Sequence, residues 1–120
     1  MEDGRDKEGR SPTGDQLLSM LSALGSPQRL RIVAALAPGR QYVSQLAREI
    51  GISRPLLHMH LQRLQAAGLV QGKLELSDDG KAIKYFELTP FSITVSPSVI
   101  AAAADTLSDD AGPARQAPAE

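Results

Sequence analysis

Cysteine and tryptophan are both missing from this 120-residue sequence, and only Tyr42, Tyr85, Phe86 and Phe91 supply aromatic rings. Without cysteine there is no disulfide, no thiolate metal site and no thiol nucleophile, as suits a reducing compartment. With so few aromatics, the core must be built from Leu, Ile, Val and Ala. Apolar residues reach 42%, enough for one such core, and the length suits one domain with tails. No apolar run approaches the length of about 18 residues that a membrane span needs, and Met1 opens a charged stretch rather than a leader. The chain is therefore expected to be soluble and cytoplasmic, with no membrane partner. There is no glycine-rich phosphate loop and no acid–base pair in a recognisable setting, so no enzyme is expected. Asp78-Asp79 reads as turn chemistry, not as a catalytic carboxylate pair.

A formal charge of −1 conceals a polarity along the chain. Residues 1–15 carry five acids against three bases, and residues 105–120 four against one. Residues 16–104 hold nine bases and five acids, a net +4. Acidic ends thus flank a mildly basic centre. Residues 1–12 and 109–120 hold too few apolar side chains to offset ordering entropy and are expected to be disordered, leaving 13–108 as the domain.

Within that domain the start and stop signals are local. Thr13 and Gln16 have capping-box spacing ahead of the stripe Leu17, Leu18, Met20, Leu21, Leu24, and Gly25 ends it. Ser26-Pro27 opens a second helix, which Pro38-Gly39 ends. Residues 40–43 allow at most one short strand pairing. A third helix is expected from about Ser44 to Ile50, stopped by Gly51. Ser53 caps a fourth that Gly68 ends. From Leu69 the apolar period changes to two, and Ser77-Asp78-Asp79-Gly80 separates two β-prone runs, the pattern of a hairpin. Phe91, Ile93 and Val95 alternate with polar residues and suggest a further extended segment. Ser96-Pro97-Ser98 opens a last helix, to about Leu107, with a seam of small apolar residues. The expected class is mainly α with a small β wing, in the order α-α-α-α-β-β-(β)-α.

The third and fourth helices carry the functional signal. A helix-turn-helix needs a small residue where its helices touch (Ala47), a sharp turn (Gly51) and an apolar plug (Ile52). Its second helix must bury one stripe and free the opposite side for a groove about 12 Å wide. At 100° per residue, Leu57, His60, Leu61 and Leu64 face the core. Pro55, Met59, Gln62 and Ala66 face away, flanked by His58 and Arg63, while Ser53 and Arg54 project from the start. Arg54, His58, Gln62 and Arg63 are the polar candidates for base edges, and Pro55 and Met59 can meet only thymine methyls or sugar. Lys73, Lys81 and Lys84 on the hairpin are candidates for phosphates. His58 and His60 point to opposite sides and cannot chelate one ion. Arg29 and Arg31 read as a solvated face.

The run LAREIGISRPLLHMHLQRLQAAGLV, with the hairpin after it, resembles the ArsR-type winged helix-turn-helix regulators over about Gln16 to Leu88. The resemblance implies a recognition helix at Ser53–Ala67 and a wing at Leu69–Leu88. It also implies a homodimer built by helices 14–24 and 98–108, for which Leu17, Leu21, Val99, Ile100, Ala103 and Leu107 are the apolar candidates. Members of that family usually repress transcription and release duplex DNA when an effector binds. Metal-sensing members use cysteine pairs near the recognition helix, or His and Asp pairs on the last helix. Here there is no cysteine, and 98–108 holds Asp105 but no His, so no metal or other cofactor is implied and the effector is unidentified. The function expected is a dimeric, sequence-specific DNA-binding regulator, a repressor. The alternative is a protein-interaction module using the apolar face of the same helix.

Overall fold

Among the described residues, every helix start is set by a hydroxyl or amide side chain that satisfies amides the helix itself leaves free. The computed structural model describes residues 11–108. Apart from Ser11 and Pro12, the expected tails lie outside the described residues. The order is α1 (Gly14–Leu24), α2 (Pro27–Leu36), β1 (Gln41–Tyr42), α3 (Val43–Ile50), α4 (Arg54–Ala66), β2 (Val70–Leu76), β3 (Ala82–Leu88) and α5 (Pro97–Ala104). These fall into two compact units, residues 11–19 with 93–108, and Met20–Ser92.

In the larger unit, Ser26 Oγ accepts from Arg29 N at 3.2 Å, and Pro27 occupies the first turn of α2, where no donor is lost. Tyr42 N donates to Gln45 Oε1 at 3.3 Å to start α3. Gly51 ends that helix at φ 83°, a left-handed conformation that favours glycine, with its N–H bonded to Ala47 O at 2.8 Å. Ser53 Oγ then accepts from Leu56 N at 3.3 Å to open α4. The expected helix-turn-helix is therefore formed, and Ala47 is buried at it. Ile32 and Leu36 of α2, Leu46 of α3 and Leu57, Leu61 and Leu64 of α4 meet Leu69, Val70 and Phe86 in one core.

The sheet is antiparallel, in the order β1-β3-β2. Val70 pairs with Leu88 and Leu76 with Ala82, so the hairpin projects from its packed base toward the turn at 77–80. Ser77 Oγ and Lys81 N both donate to the Asp79 carboxylate, confirming the turn role of that side chain. The third strand is β1, through Gln41↔Phe86 and Tyr42↔Tyr85, and not the extended segment expected at 91–96, which forms no strand. With β2 and β1 on its two sides, β3 has no free edge beside them. Pro90 brings no N–H to a ladder, and Phe91 packs on the core instead.

The smaller unit joins the first turns of α1 to α5. Thr13 and Gln16 form the expected capping box, with Gln16 N donating to Thr13 Oγ1 at 3.1 Å and Thr13 N to Gln16 Oε1 at 2.9 Å. Gly14 lets the chains approach: a Cβ there would collide with the Ala103 carbonyl and the Leu107 side chain. Its N–H donates to Thr106 Oγ1 at 2.7 Å. The last helix ends at Ala104, short of the expected Leu107, and Asp105 and Thr106 follow in a turn.

Candidate nucleic-acid interface

The outward side of α4 is fixed by what its inward side buries. Leu57, Leu61 and Leu64 are in the core, while Arg54, Pro55, His58, Met59, Gln62, Arg63 and Ala66 are all exposed. Between Ser53 and Ala67 there are two arginines, two histidines and no carboxylate. Ser53 is exposed too, but its hydroxyl is engaged as the cap of α4.

The start of α4 faces the hairpin across an open cleft of about 320 Å³, lined by Arg54 and His58, by Lys84 and Ile83, and by Tyr42 and Ser44. Three of the expected contact residues, Arg54, His58 and Lys84, thus share one concavity. Met59 and Gln62 lie on the open side of the helix, and Arg63 lies on the opposite flank. Tyr42 and Ser44 carried no signal in the sequence. They reach the cleft because β1 pairs with a strand some 40 residues away.

The two faces of the hairpin differ chemically. Alternation along β2 and β3 places Lys73, Glu75, Ile83, Tyr85 and Glu87 on one face, and Leu74, Leu76, Ala82, Lys84 and Phe86 on the other. On the first face Lys73 Nζ lies 2.7 Å from Glu87 Oε2, and Gln71 Nε2 donates to the same oxygen at 2.9 Å. This pairing holds the Glu87 carboxyl below its ordinary range and the Lys73 ammonium above its own. Arg40 stacks over the Tyr85 ring at 4.2 Å and pairs with Glu75 at 3.3 Å, and Tyr42 Oη donates to Glu75 at 2.8 Å. Cations on that face are matched by carboxylates. On the second face Lys84 sits 5.4 Å from the Phe86 ring centroid with no acid beside it on the strands. Lys81 is exposed at the turn. The three lysines grouped in the sequence are therefore in three settings.

Behind α4, Arg29 is not the solvated side chain expected. Its Nε donates to Ala23 O at 2.6 Å and its Nη1 to His60 Nδ1 at 3.0 Å, tying α2 to α4. His60 accepts there, so it is neutral in this arrangement. Burial first, then the charges of Arg29 and Arg63, lower its pKa from the ordinary 6.5. The folded state thus binds this proton less readily than the unfolded chain, so stability is full above about pH 6.5 and falls as the pH drops below it. His60→Asn, which keeps an acceptor for Arg29 but does not titrate, is expected to flatten the melting-temperature profile between pH 7.5 and 5.5. An unchanged profile in thermal unfolding would remove His60 as its source.

The expected dimerisation residues divide as well. Leu17 and Ala103 are buried within the chain, Val99 is half-buried, and Leu21, Ile100 and Leu107 are exposed, as is Leu18. Among the described residues no three His, Asp or Glu side chains gather as a metal site would require, and no helix is long and apolar enough to cross a membrane.

Comparison with known proteins places this geometry. The family model described as bacterial regulatory protein, arsR family, matches residues 26–71, from α2 into β2. The HTH-type transcriptional regulator MJ0229 of Methanocaldococcus jannaschii is 29% identical over 84 residues, covering 70% of this chain and 87% of that protein. The transcriptional repressor SmtB of Mycobacterium tuberculosis is 37% identical over 54 residues, 45% of this chain and 40% of that protein. This chain thus spans most of the first relative but less than half the length of the second. Among solved structures, a homodimeric winged helix-turn-helix DNA-binding domain from Mycobacterium bovis, described as a possible ArsR-family regulator, superposes with a TM-score of 0.56. It is 28% identical, covering 62% of this chain and 64% of that one. The helix-turn-helix and the start of the hairpin thus lie in the stretch that matches the arsR family of bacterial regulatory proteins, and the chain is similar in sequence and fold to winged helix-turn-helix transcriptional regulators of that type.

Proposed function

We propose that the chain works as a homodimeric, sequence-specific repressor, laying α4 in the major groove of duplex DNA and setting wing cations on the flanking phosphates. The observation that carries this reading is the acid-free outer side of α4 facing Lys84 across the cleft shared with Arg54 and His58. A helix about 10–12 Å across matches a groove about 12 Å wide, and phosphates border that groove on both sides. Arg54 and Gln62 suit base edges, whereas Lys81 and Lys84 suit phosphates and set affinity more than sequence.

A single helix and wing make too few contacts for tight binding, so two copies are required. The exposed Leu18 and Ile100 provide the apolar surface for that pairing, and the mycobacterial neighbour is itself homodimeric. Half-sites are then expected about one helical turn apart. Repression follows from occupancy: a bound dimer blocks the duplex to polymerase. The relative SmtB is named a repressor.

Mobility shift on DNA fragments at several salt concentrations tests the reading. Lys81 and Lys84 from each copy make four phosphate contacts, so log K should fall against log salt with a slope of about −3.6. Lys84→Ala should bring the slope to about −1.8, while Lys73→Ala, already paired with Glu87, should leave it nearly unchanged. A flat salt dependence would contradict DNA binding, and equal losses from both lysines would contradict the division of the wing faces.

A further inference from the structure

The middle of the outward α4 face is apolar, and among the described residues it stays exposed and outside the core. Met59 is 55% exposed, with Pro55 and Ala66 exposed along the same side and Gln62 beside them. Arg54 toward the wing and Arg63 on the far flank give this strip a cationic rim, with the His58 imidazole beside Arg54, and the helix carries no acid. An apolar centre inside a cationic rim calls for the complementary surface, an anionic rim around a floor that offers methyl groups. The major groove has that form: phosphates line its edges, and thymine alone among the four bases places a methyl on its floor.

We infer that Met59 is a specificity-determining residue that reads a thymine methyl, with Gln62 reading an adenine edge beside it. The inference rests on the proposed docking of α4 in the major groove and names what that helix selects there. Met59 and Gln62 are three residues apart, so their side chains are neighbours on one face. A primary amide donates to and accepts from the adenine edge in the major groove, and the thioether chain of methionine packs on a methyl without asking for a hydrogen bond. Because the chain of Met59 is unbranched, it can follow the groove floor without strain on the helix. Half-sites should therefore contain A·T pairs beneath the centre of α4, and part of the preference for thymine there should come from one carbon atom, its 5-methyl.

That carbon can be removed without touching any hydrogen bond. Fragments bound by the full chain are recovered and sequenced, and each thymine of the selected duplex is then replaced in turn by deoxyuridine. Burying one methyl corresponds to about a fourfold change in affinity. At one position in each half-site, the wild-type protein is expected to lose about fourfold in affinity on replacement. The Met59→Ala variant, altered only at an exposed side chain, should bind the thymine and uracil duplexes equally. Selective binding with no deoxyuridine position costing more than twofold would overturn the methyl reading while leaving DNA recognition intact. So would a Met59→Ala variant that keeps the full uracil penalty. Failure to bind any duplex even at low salt would instead overturn the docking itself, and a Met59→Ala effect confined to the sedimentation mass would make this face a protein interface.

Discussion

Leu18→Glu and Ile100→Glu, introduced together, are expected to yield a folded single chain that binds the full DNA site at least about a hundredfold more weakly than wild type. Both side chains are about half exposed, Leu18 at 50% and Ile100 at 47%, so neither is needed to fill the interior of its own chain. The α1–α5 packing depends instead on Leu17, Ala103 and Gly14, which the substitutions leave in place. Two glutamates from each copy would meet across the proposed dimer surface, desolvated and repelling. Loss of the second half-site removes the effective-concentration gain of bivalent binding, typically a factor of about 10²–10⁴. Sedimentation should change from two chains to one of 12.8 kDa, with the circular dichroism retained. A variant that stays dimeric, or a monomer that binds as tightly as before, would contradict the assigned surface.

Leu61→Ala acts on the packing that holds α4 in place. Leu61 is 1% exposed and lies between Leu57 and Leu64 on the inward stripe, against the core that includes Ile32 of α2 and Phe86 of β3. Truncation removes transfer free energy and leaves a cavity, together about 3 kcal/mol in a site of this burial. For a domain of this size that lowers the melting temperature by about 15 °C. Leu56→Ala, one turn earlier on the same helix but exposed, should change stability by no more than about 0.5 kcal/mol. Thermal unfolding of the two variants compares them directly. Equal effects would mean that α4 does not bury the face assigned to it.

What could be read from the residues alone was governed by distance along the chain. The Thr13–Gln16 box, the Ser26-Pro27 and Ser53 starts and the Gly51 stop each involve partners within about four positions, so their signals are complete in the sequence. The same holds for the stripe of α4 and the helix-turn-helix it belongs to. What lay hidden depended on partners far away. Phe91, Ile93 and Val95 alternate like a strand, yet β3 takes the two-residue β1 as its neighbour, which no local periodicity announces. Leu74 and Leu76 also alternate as if buried, but the outer half of the hairpin projects beyond its packed base and leaves them largely exposed. Lys73 looks like Lys84 in the sequence. Only the ladder register separates the lysine matched by Glu87 from the one facing Arg54 and His58. The pairing of Arg29 with His60 is likewise a matter of packing between helices 31 positions apart.

Recovery and sequencing of DNA fragments bound by the 120-residue chain at moderate salt is the most direct test of α4 as one half of a symmetric reader. Enrichment of an inverted repeat, its halves centred about one turn of the duplex apart and lost with Arg54→Ala and Gln62→Ala, is the result this account predicts. Recovery of fragments with no shared motif, or of the same motif from the doubly substituted protein, would contradict it.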